Sequence, residues 1–128
     1  ADQVSKLMTK KRIHVVGANV LILGLAFKEN CPDLRNTRVV DLVEEFKEFN
    51  CNVDVFDSWV DKDEAAYEYG IKPIDQPVNG KYDAILLAVA HDEFKELSLE
   101  QIKAFGKDNH VLYDIKYLLD ANEVDGRL

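Results

Sequence analysis

Apolar residues along this chain alternate between short unbroken runs and runs with helical spacing. The unbroken runs at 19–27, 52–57, 82–90 and 110–114 predict strands, and a weaker run at 71–74 predicts one more. The run at 82–90 is too apolar for an edge strand, so it predicts the middle of a sheet.

The segments between these runs carry helix patterns with start and stop residues. Residues 37–49 place apolar side chains on one face, and Asn36 or Thr37 is a plausible N-cap. Residues 60–70 form a short helix pattern closed by a glycine, and residues 98–106 lie between a serine cap and a glycine. After residue 114 the chain finishes as a short helix or turn and a tail. The predicted face of 37–49 consists of Val39, Val40, Val43, Phe46 and Phe49.

This order of elements predicts the α/β class. Strands that alternate with helices form a mostly parallel sheet with helices on both faces. We therefore expect a three-layer α/β/α, Rossmann-like domain with five strands. Residues 1–12 read as the tail of a helix without a beginning, which predicts a piece excised from a longer chain.

Composition narrows the function classes. The chain has 128 residues, enough for one domain, and a net charge of -8, which disfavours nucleic acid or an acidic membrane as the main partner. No apolar run reaches the roughly 20 residues of a membrane span. The two cysteines, Cys31 and Cys51, predict neither a disulfide framework nor a metal site, so we expect a cytoplasmic protein.

Polar and aromatic residues follow the predicted strands. Ligands of open α/β sheets bind at the carboxyl ends of the strands, although strands also end in polar residues simply because loops meet water. The residues at these ends are Phe27, Lys28, Asp57, Ser58, Trp59, His91, Asp92, Asp114, Ile115 and Lys116.

A dinucleotide fingerprint is missing after the first strand. The Gly-x-Gly-x-x-Gly motif lets the backbone approach a pyrophosphate, but here Gly24 is followed by Ala26 and a long loop. We therefore expect that this unit does not bind NAD in the usual way.

The long loop carries the candidate binding groups. Lys28 follows the strand directly, and its ammonium favours contact with an anionic ligand. Asp33 and Arg35 either pair with each other to stiffen the loop or serve a ligand. His91 is either a titrating base or ligand donor, or a cap-region histidine bonded to backbone. Cys31 has no histidine near it in sequence, which disfavours a catalytic thiolate.

Four stretches of this sequence resemble the C-terminal domain of the UDP-glucose/GDP-mannose dehydrogenase family. "VLILGLAFKENCPDLRNT" has the family's Gly-x-x-Phe-Lys strand end and Asp-x-Arg loop, and "VFDSW" resembles the second strand. "DAILLAVAHDEF" resembles the fourth strand, and "LYDIKYLLD" the last strand with its Asp-x-Lys. The similarity covers residues 19–128.

The resemblance implies an enzyme that oxidises the C6 hydroxyl of a nucleotide sugar to a carboxylate with two NAD. Family members have an N-terminal NAD domain, a central helical dimerisation region and a C-terminal nucleotide-sugar domain. Residues 1–12 would be the end of the linking helix, and residues 13–128 a single UDP-sugar-binding domain. NAD and the catalytic cysteine would lie outside this chain, which alone would be inactive and contribute no catalytic residue. The full-length protein would be a homodimer.

The resemblance also implies residue roles. Phe27 and Lys28 would contact the nucleotide sugar, and Lys116 would reach its sugar end from a position that often holds arginine. Asp33 and Arg35 would order the loop. The "NCPDLRNT" loop together with "VAHDEF" looks most like members that act on UDP-N-acetylhexosamines for surface polysaccharides.

The alternative is a stand-alone α/β interaction or oligomerisation module without catalysis, with Trp59 at an interface. A receiver-like module fits badly, because a receiver needs an acidic pair after its first strand, where this chain has Lys28.

Overall fold

The computed structural model of the protein describes residues 1–127, and Leu128, the last residue of the predicted domain, lies outside the described residues. Five strands form one sheet in the order β2-β1-β3-β4-β5, and each neighbouring pair is parallel. The strands are β1 (Asn19–Leu23), β2 (Asn52–Phe56), β3 (Tyr82–Leu87), β4 (Gly106–Asp114) and β5 (Gly126–Arg127).

Helices cover both faces of this sheet. In β1, Val20 and Ile22 belong to the core on one face, while Leu21 and Leu23 belong to a second core on the other face. This alternation follows from the two-residue period of a strand and confirms the predicted three-layer α/β/α architecture. The helices are α1 (Asp2–Lys10), α2 (Val39–Glu48), α3 (Lys62–Tyr69), α4 (Asp92–Lys95), α5 (Leu99–Phe105) and a 3-10 turn (Ala121–Glu123).

Local capping sets the bounds of two helices. The Ser98 hydroxyl accepts the Gln101 N–H while the Gln101 side chain accepts the Ser98 N–H, a reciprocal capping box. The Asp61 carboxylate caps the start of α3, and Gly70 ends that helix in the left-handed conformation at φ 68°.

The predicted strand at 71–74 is wrong. Pro73 has no N–H to donate to a neighbouring strand, and the Ile74 N–H makes a single bond of 2.8 Å to the Val55 carbonyl. The fifth strand is β5 instead, which pairs with β4 through only two residues. The predicted apolar face of α2 is too long, because Phe49 follows the last turn and remains 37% exposed.

The helices α4 and α1 lie in segments where the helical spacing of apolar residues extends over only a few positions. The four-residue α4 follows β3 and was not predicted, whereas α1 occupies most of the expected helix tail at 1–12. None of the helices within residues 1–127 combines the length and the apolar character that a bilayer crossing requires.

Candidate functional site

The carboxyl ends of four strands meet in one row at one edge of the sheet. The register aligns Phe56 of β2, Leu23 of β1, Leu87 of β3 and Asp114 of β4. Four loops therefore leave the same edge side by side, and we call this the carboxyl edge.

Asp57 directly follows β2, an outer strand of the sheet, and is only 2% exposed at the carboxyl edge. Its Oδ2 accepts the N–H groups of Leu25 at 2.7 Å and Ala26 at 2.9 Å, directly after β1. Its Oδ1 accepts the Trp59 N–H at 2.8 Å. Both oxygens are therefore used by the protein, and neither is left for the ribose that this position holds in a dinucleotide fold.

His91 is completely buried beside Asp57, with its Nε2 2.9 Å from the Asp57 Oδ2. The backbone N–H of Asn30 donates to the His91 Nδ1 at 2.8 Å. Because Nδ1 accepts, the ring proton belongs on Nε2, where it points to the carboxylate, and the imidazole is neutral. Both ring nitrogens are engaged by the protein, Nδ1 with the Asn30 backbone and Nε2 with Asp57, and a role for His91 as a base or ligand donor stays a prediction.

Two opposing effects act on the pKa of Asp57. Burial by itself raises this pKa, but hydrogen bonds from His91 and from the backbone of Leu25, Ala26 and Trp59 outweigh it, and the net pKa is lowered. The group is therefore a buried carboxylate, held by four donors.

Aromatic rings enclose the Asp57–His91 pair. Trp59 stacks on the His91 ring with 5.9 Å between centroids, and Phe94 of α4 lies 5.5 Å away in a tilted arrangement. Trp59 is 43% exposed and so covers the pair from the solvent side. The rings keep water from the hydrogen bonds beneath them.

The loop after β1 presents Phe27 and Lys28 to solvent, and Phe27 is 51% exposed. The Phe27 N–H bonds to the Asp33 carbonyl at 2.7 Å, which folds the loop back on itself. Asp33 receives a forked bond from the Arg35 guanidinium, with both contacts at 3.1 Å. These bonds from Arg35, together with the nearby Lys28 charge, lower the pKa of Asp33. The loop-ordering role of the two residues stays a prediction, although they do pair with each other.

Lys116 lies at the same edge beyond β4. The fully buried Asp114 accepts the Lys116 N–H with Oδ1 at 3.1 Å and the Leu119 N–H with Oδ2 at 2.8 Å. The backbone of this loop is therefore fixed while the Lys116 side chain is exposed. The carboxyl edge thus presents two ammonium groups and the Phe27 ring, a combination suited to an anion that also has a flat or apolar part.

A cavity of about 540 Å³ lies away from the carboxyl edge. It opens near the amino end of β1 and is lined by residues that include Arg12, His14, Lys107 and Asp108. We place the candidate site at the carboxyl edge nevertheless, because the predicted binding residues lie there and this cavity contains none of them. Residues 1–127 contain no cluster of three or more side chains suited to a metal ion.

Sequence reasoning placed Asp57 and His91 on one edge but did not pair them, and it missed Asn30. The backbone of Asn30 has a φ of 54°, a left-handed value that asparagine adopts more readily than most residues. That preference was the available signal.

A protein-family model matches residues 21–121 of the chain, and its description is UDP-glucose/GDP-mannose dehydrogenase family, UDP binding domain. UDP-N-acetyl-D-glucosamine 6-dehydrogenase of Pseudomonas aeruginosa is 60% identical over 99% of this chain, and the Salmonella typhi protein of the same name is 53% identical over all of it. The chain spans about 30% of the length of these two curated relatives.

Solved structures agree on the fold. An NDP-N-acetyl-D-galactosaminuronic acid dehydrogenase from Methanosarcina mazei superimposes with a TM-score of 0.81 over 95% of this chain and 25% of that one, at 21% identity. A UDP-glucose dehydrogenase from Pyrobaculum islandicum gives 0.72 over 97% of this chain and 27% of that one, at 23% identity.

Proposed function

This chain belongs to the UDP-glucose/GDP-mannose dehydrogenase family, and on that premise we propose that its carboxyl edge holds the UDP part of a UDP-sugar. One observation carries the proposal: Lys28, Phe27 and Lys116 are exposed at one edge of the sheet. The backbones of their two loops are held by hydrogen bonds to the buried carboxylates of Asp57 and Asp114. An ammonium group neutralises diphosphate oxygens, and an exposed ring offers a flat apolar surface.

For the whole protein we propose an NAD-dependent UDP-N-acetylhexosamine 6-dehydrogenase. Two successive oxidations would convert the C6 hydroxyl to a carboxylate, with one hydride passed to each of two NAD and the second carboxylate oxygen supplied by water. The names of the two similar 6-dehydrogenases support this choice of sugar. The product would serve surface polysaccharide synthesis in the cytoplasm.

NAD does not fit the carboxyl edge of this domain. The loop after β1 has one glycine where a pyrophosphate would need a glycine-rich turn, and the Asp57 carboxylate is fully occupied by N–H donors. We therefore propose that NAD binds in an N-terminal domain outside this chain, and that the catalytic cysteine of the full-length protein precedes the domain described here. A central helical region would join the two domains and form the homodimer. The chain alone would bind UDP without oxidising the sugar.

Calorimetric titration of the chain with UDP and with UDP-N-acetylglucosamine tests the proposal. We expect saturable binding that Lys28→Ala weakens about tenfold, because one charged contact to a phosphate is lost. Lys47→Ala is the matched control, since Lys47 is exposed near the far end of α2 and its removal changes the net charge equally. Equal affinities for Lys28→Ala and the native chain would overturn the proposed site at the carboxyl edge, whereas no binding of either ligand would favour an interaction module.

A further inference from the structure

We propose that the buried Asp57–His91 pair is a positioning clamp for the loop that carries Phe27 and Lys28. The part of the proposal that concerns the loop conformation uses only the hydrogen bonds of residues 25–30. The part that concerns UDP affinity rests on the function proposed above. Neither side chain would touch the ligand, because both are buried and their polar atoms are engaged.

The clamp holds the loop on both sides of Lys28. Asp57 binds the N–H groups of Leu25 and Ala26, before the exposed residues, and His91 binds the N–H of Asn30, after them. Only residues 27–29 lie between these anchors, and the Phe27 N–H is itself bonded to the Asp33 carbonyl. The Lys28 backbone therefore has little freedom.

The two partners of His91 require opposite roles of its ring nitrogens. Nδ1 must accept from Asn30 while Nε2 must donate to Asp57, and a neutral imidazole with its proton on Nε2 meets both demands. A proton on Nδ1 would face the Asn30 N–H directly and break the anchor. The clamp thus depends on which nitrogen accepts as well as on the volume of the ring.

Asn30 makes a second hydrogen bond to the connection between β3 and α4, which also contains His91. Its side-chain Oδ1 accepts the Asp92 N–H at 3.0 Å at the start of α4. The residue is thereby joined to the β3–α4 connection through its backbone and its side chain. This double contact links the Lys28 loop to the central strand of the sheet.

Two substitutions separate the two bonds of His91. The amide group of an asparagine lies as far from the backbone as Nδ1, so His91→Asn keeps an acceptor for Asn30 and loses the bond to Asp57. The amide group of a glutamine reaches the level of Nε2, so His91→Gln keeps a donor for Asp57 and loses the acceptor. Both variants lose the ring that packs between Trp59 and Phe94, and the shorter asparagine fills less of the vacated space than glutamine does.

Amide hydrogen exchange measures how often the loop opens, and it needs no ligand. We expect the Asn30 amide, referenced to the buried Ile85 amide of β3, to exchange about fivefold faster in His91→Gln than in His91→Asn. A purely packing role would raise exchange at least as much in His91→Asn, where the void is larger, and that result would overturn the clamp. Asn30→Gly suits the positive φ and keeps the backbone donor, so it tests the side-chain bond alone.

Binding of UDP then connects the clamp to function. We expect UDP affinity about fivefold lower in His91→Gln than in His91→Asn, and no such difference when Phe27→Ala and Lys28→Ala are both present, because the clamp acts through the loop that carries these two residues. A difference that persists without both side chains would overturn the positioning role. If the native chain failed to bind UDP while the loop amides responded as expected, the clamp would be supported and the UDP function would fail.

Discussion

Gly24 and Val89 approach so closely that a β-carbon added at Gly24 would lie 2.5 Å from the Val89 β-carbon and 2.8 Å from its backbone nitrogen. Gly24 also has a φ of 108°, and its N–H bonds to the Phe56 carbonyl at 2.8 Å. The glycine therefore lets the chain turn out of β1 against the neighbouring β3 connection and begin the loop that carries Lys28.

Gly24→Ala should lower the free energy of unfolding by about 3 kcal/mol, because it adds a backbone clash to an unfavourable φ. Gly80→Ala is the matched control, since Gly80 has a φ of 73° with open space around it. That control should cost about 1 kcal/mol. Urea unfolding measures both, and equal losses would contradict the importance of the Val89 contact.

Lys116→Ala should weaken binding of UDP-N-acetylglucosamine more than binding of UDP, because the proposed contact is with the sugar end. Lys116→Arg keeps the charge and should retain most of the affinity. Parallel calorimetric titrations with the two ligands provide the comparison. Equal losses for both would assign Lys116 to the nucleotide part instead.

Arg35→Ala should loosen the loop with little effect on global stability. The Asp33–Arg35 pair is exposed, and solvent screens the attraction between such groups, so the pair contributes little to folding. The Phe27 amide, which bonds to the Asp33 carbonyl, should nevertheless exchange faster. Exchange measured with Asp33→Asn and with the double variant completes the cycle, and additive effects would show that the pair does not act as a unit.

The stabilising effect of the Asp57 charge should disappear in acid. Hydrogen bonds lower its pKa in the folded protein below the usual 3.8 despite its burial. The charged group therefore stabilises the fold above the pKa of the unfolded chain, and this contribution is lost as pH falls through the folded pKa.

Urea unfolding of the native chain and Asp57→Asn should show the larger difference at neutral pH and a smaller one near pH 3. The exposed Asp41→Asn serves as the net-charge control. A difference that stayed constant with pH would contradict the assignment of a buried carboxylate.

The fold was predictable because its main elements have strong local patterns. The apolar runs of β1 and β3, the Ser98 cap and the Gly70 stop are all readable within a few residues. The two failures have different causes. Pro73 interrupts the apolar run at 71–74, a local signal that was available in the sequence, whereas Gly126–Arg127 becomes a strand only because β4 lies beside it.

The sequence predicted which residues lie at the candidate site, but it did not predict which of their side chains contact each other. Parallel strand ends bring Lys28, Asp57, His91 and Lys116 to one edge, and that much follows from topology. The contact between Asp57 and His91 joins residues 34 positions apart, and no local pattern specifies such a pair. Periodicity likewise cannot show which oxygen or nitrogen accepts a given N–H.

The parallel sheet also has a consequence for the order of folding. The bond between His91 and Asn30 joins residues 61 positions apart, and it can form only after β1 and β3 have paired over a similar distance. Contacts of such long range form late, because closing a large loop costs entropy before the contact repays it. Substitutions at His91 should therefore accelerate unfolding and leave the folding rate nearly unchanged, so that the kinetic lifetime of the native state depends on the same residues that hold the Lys28 loop.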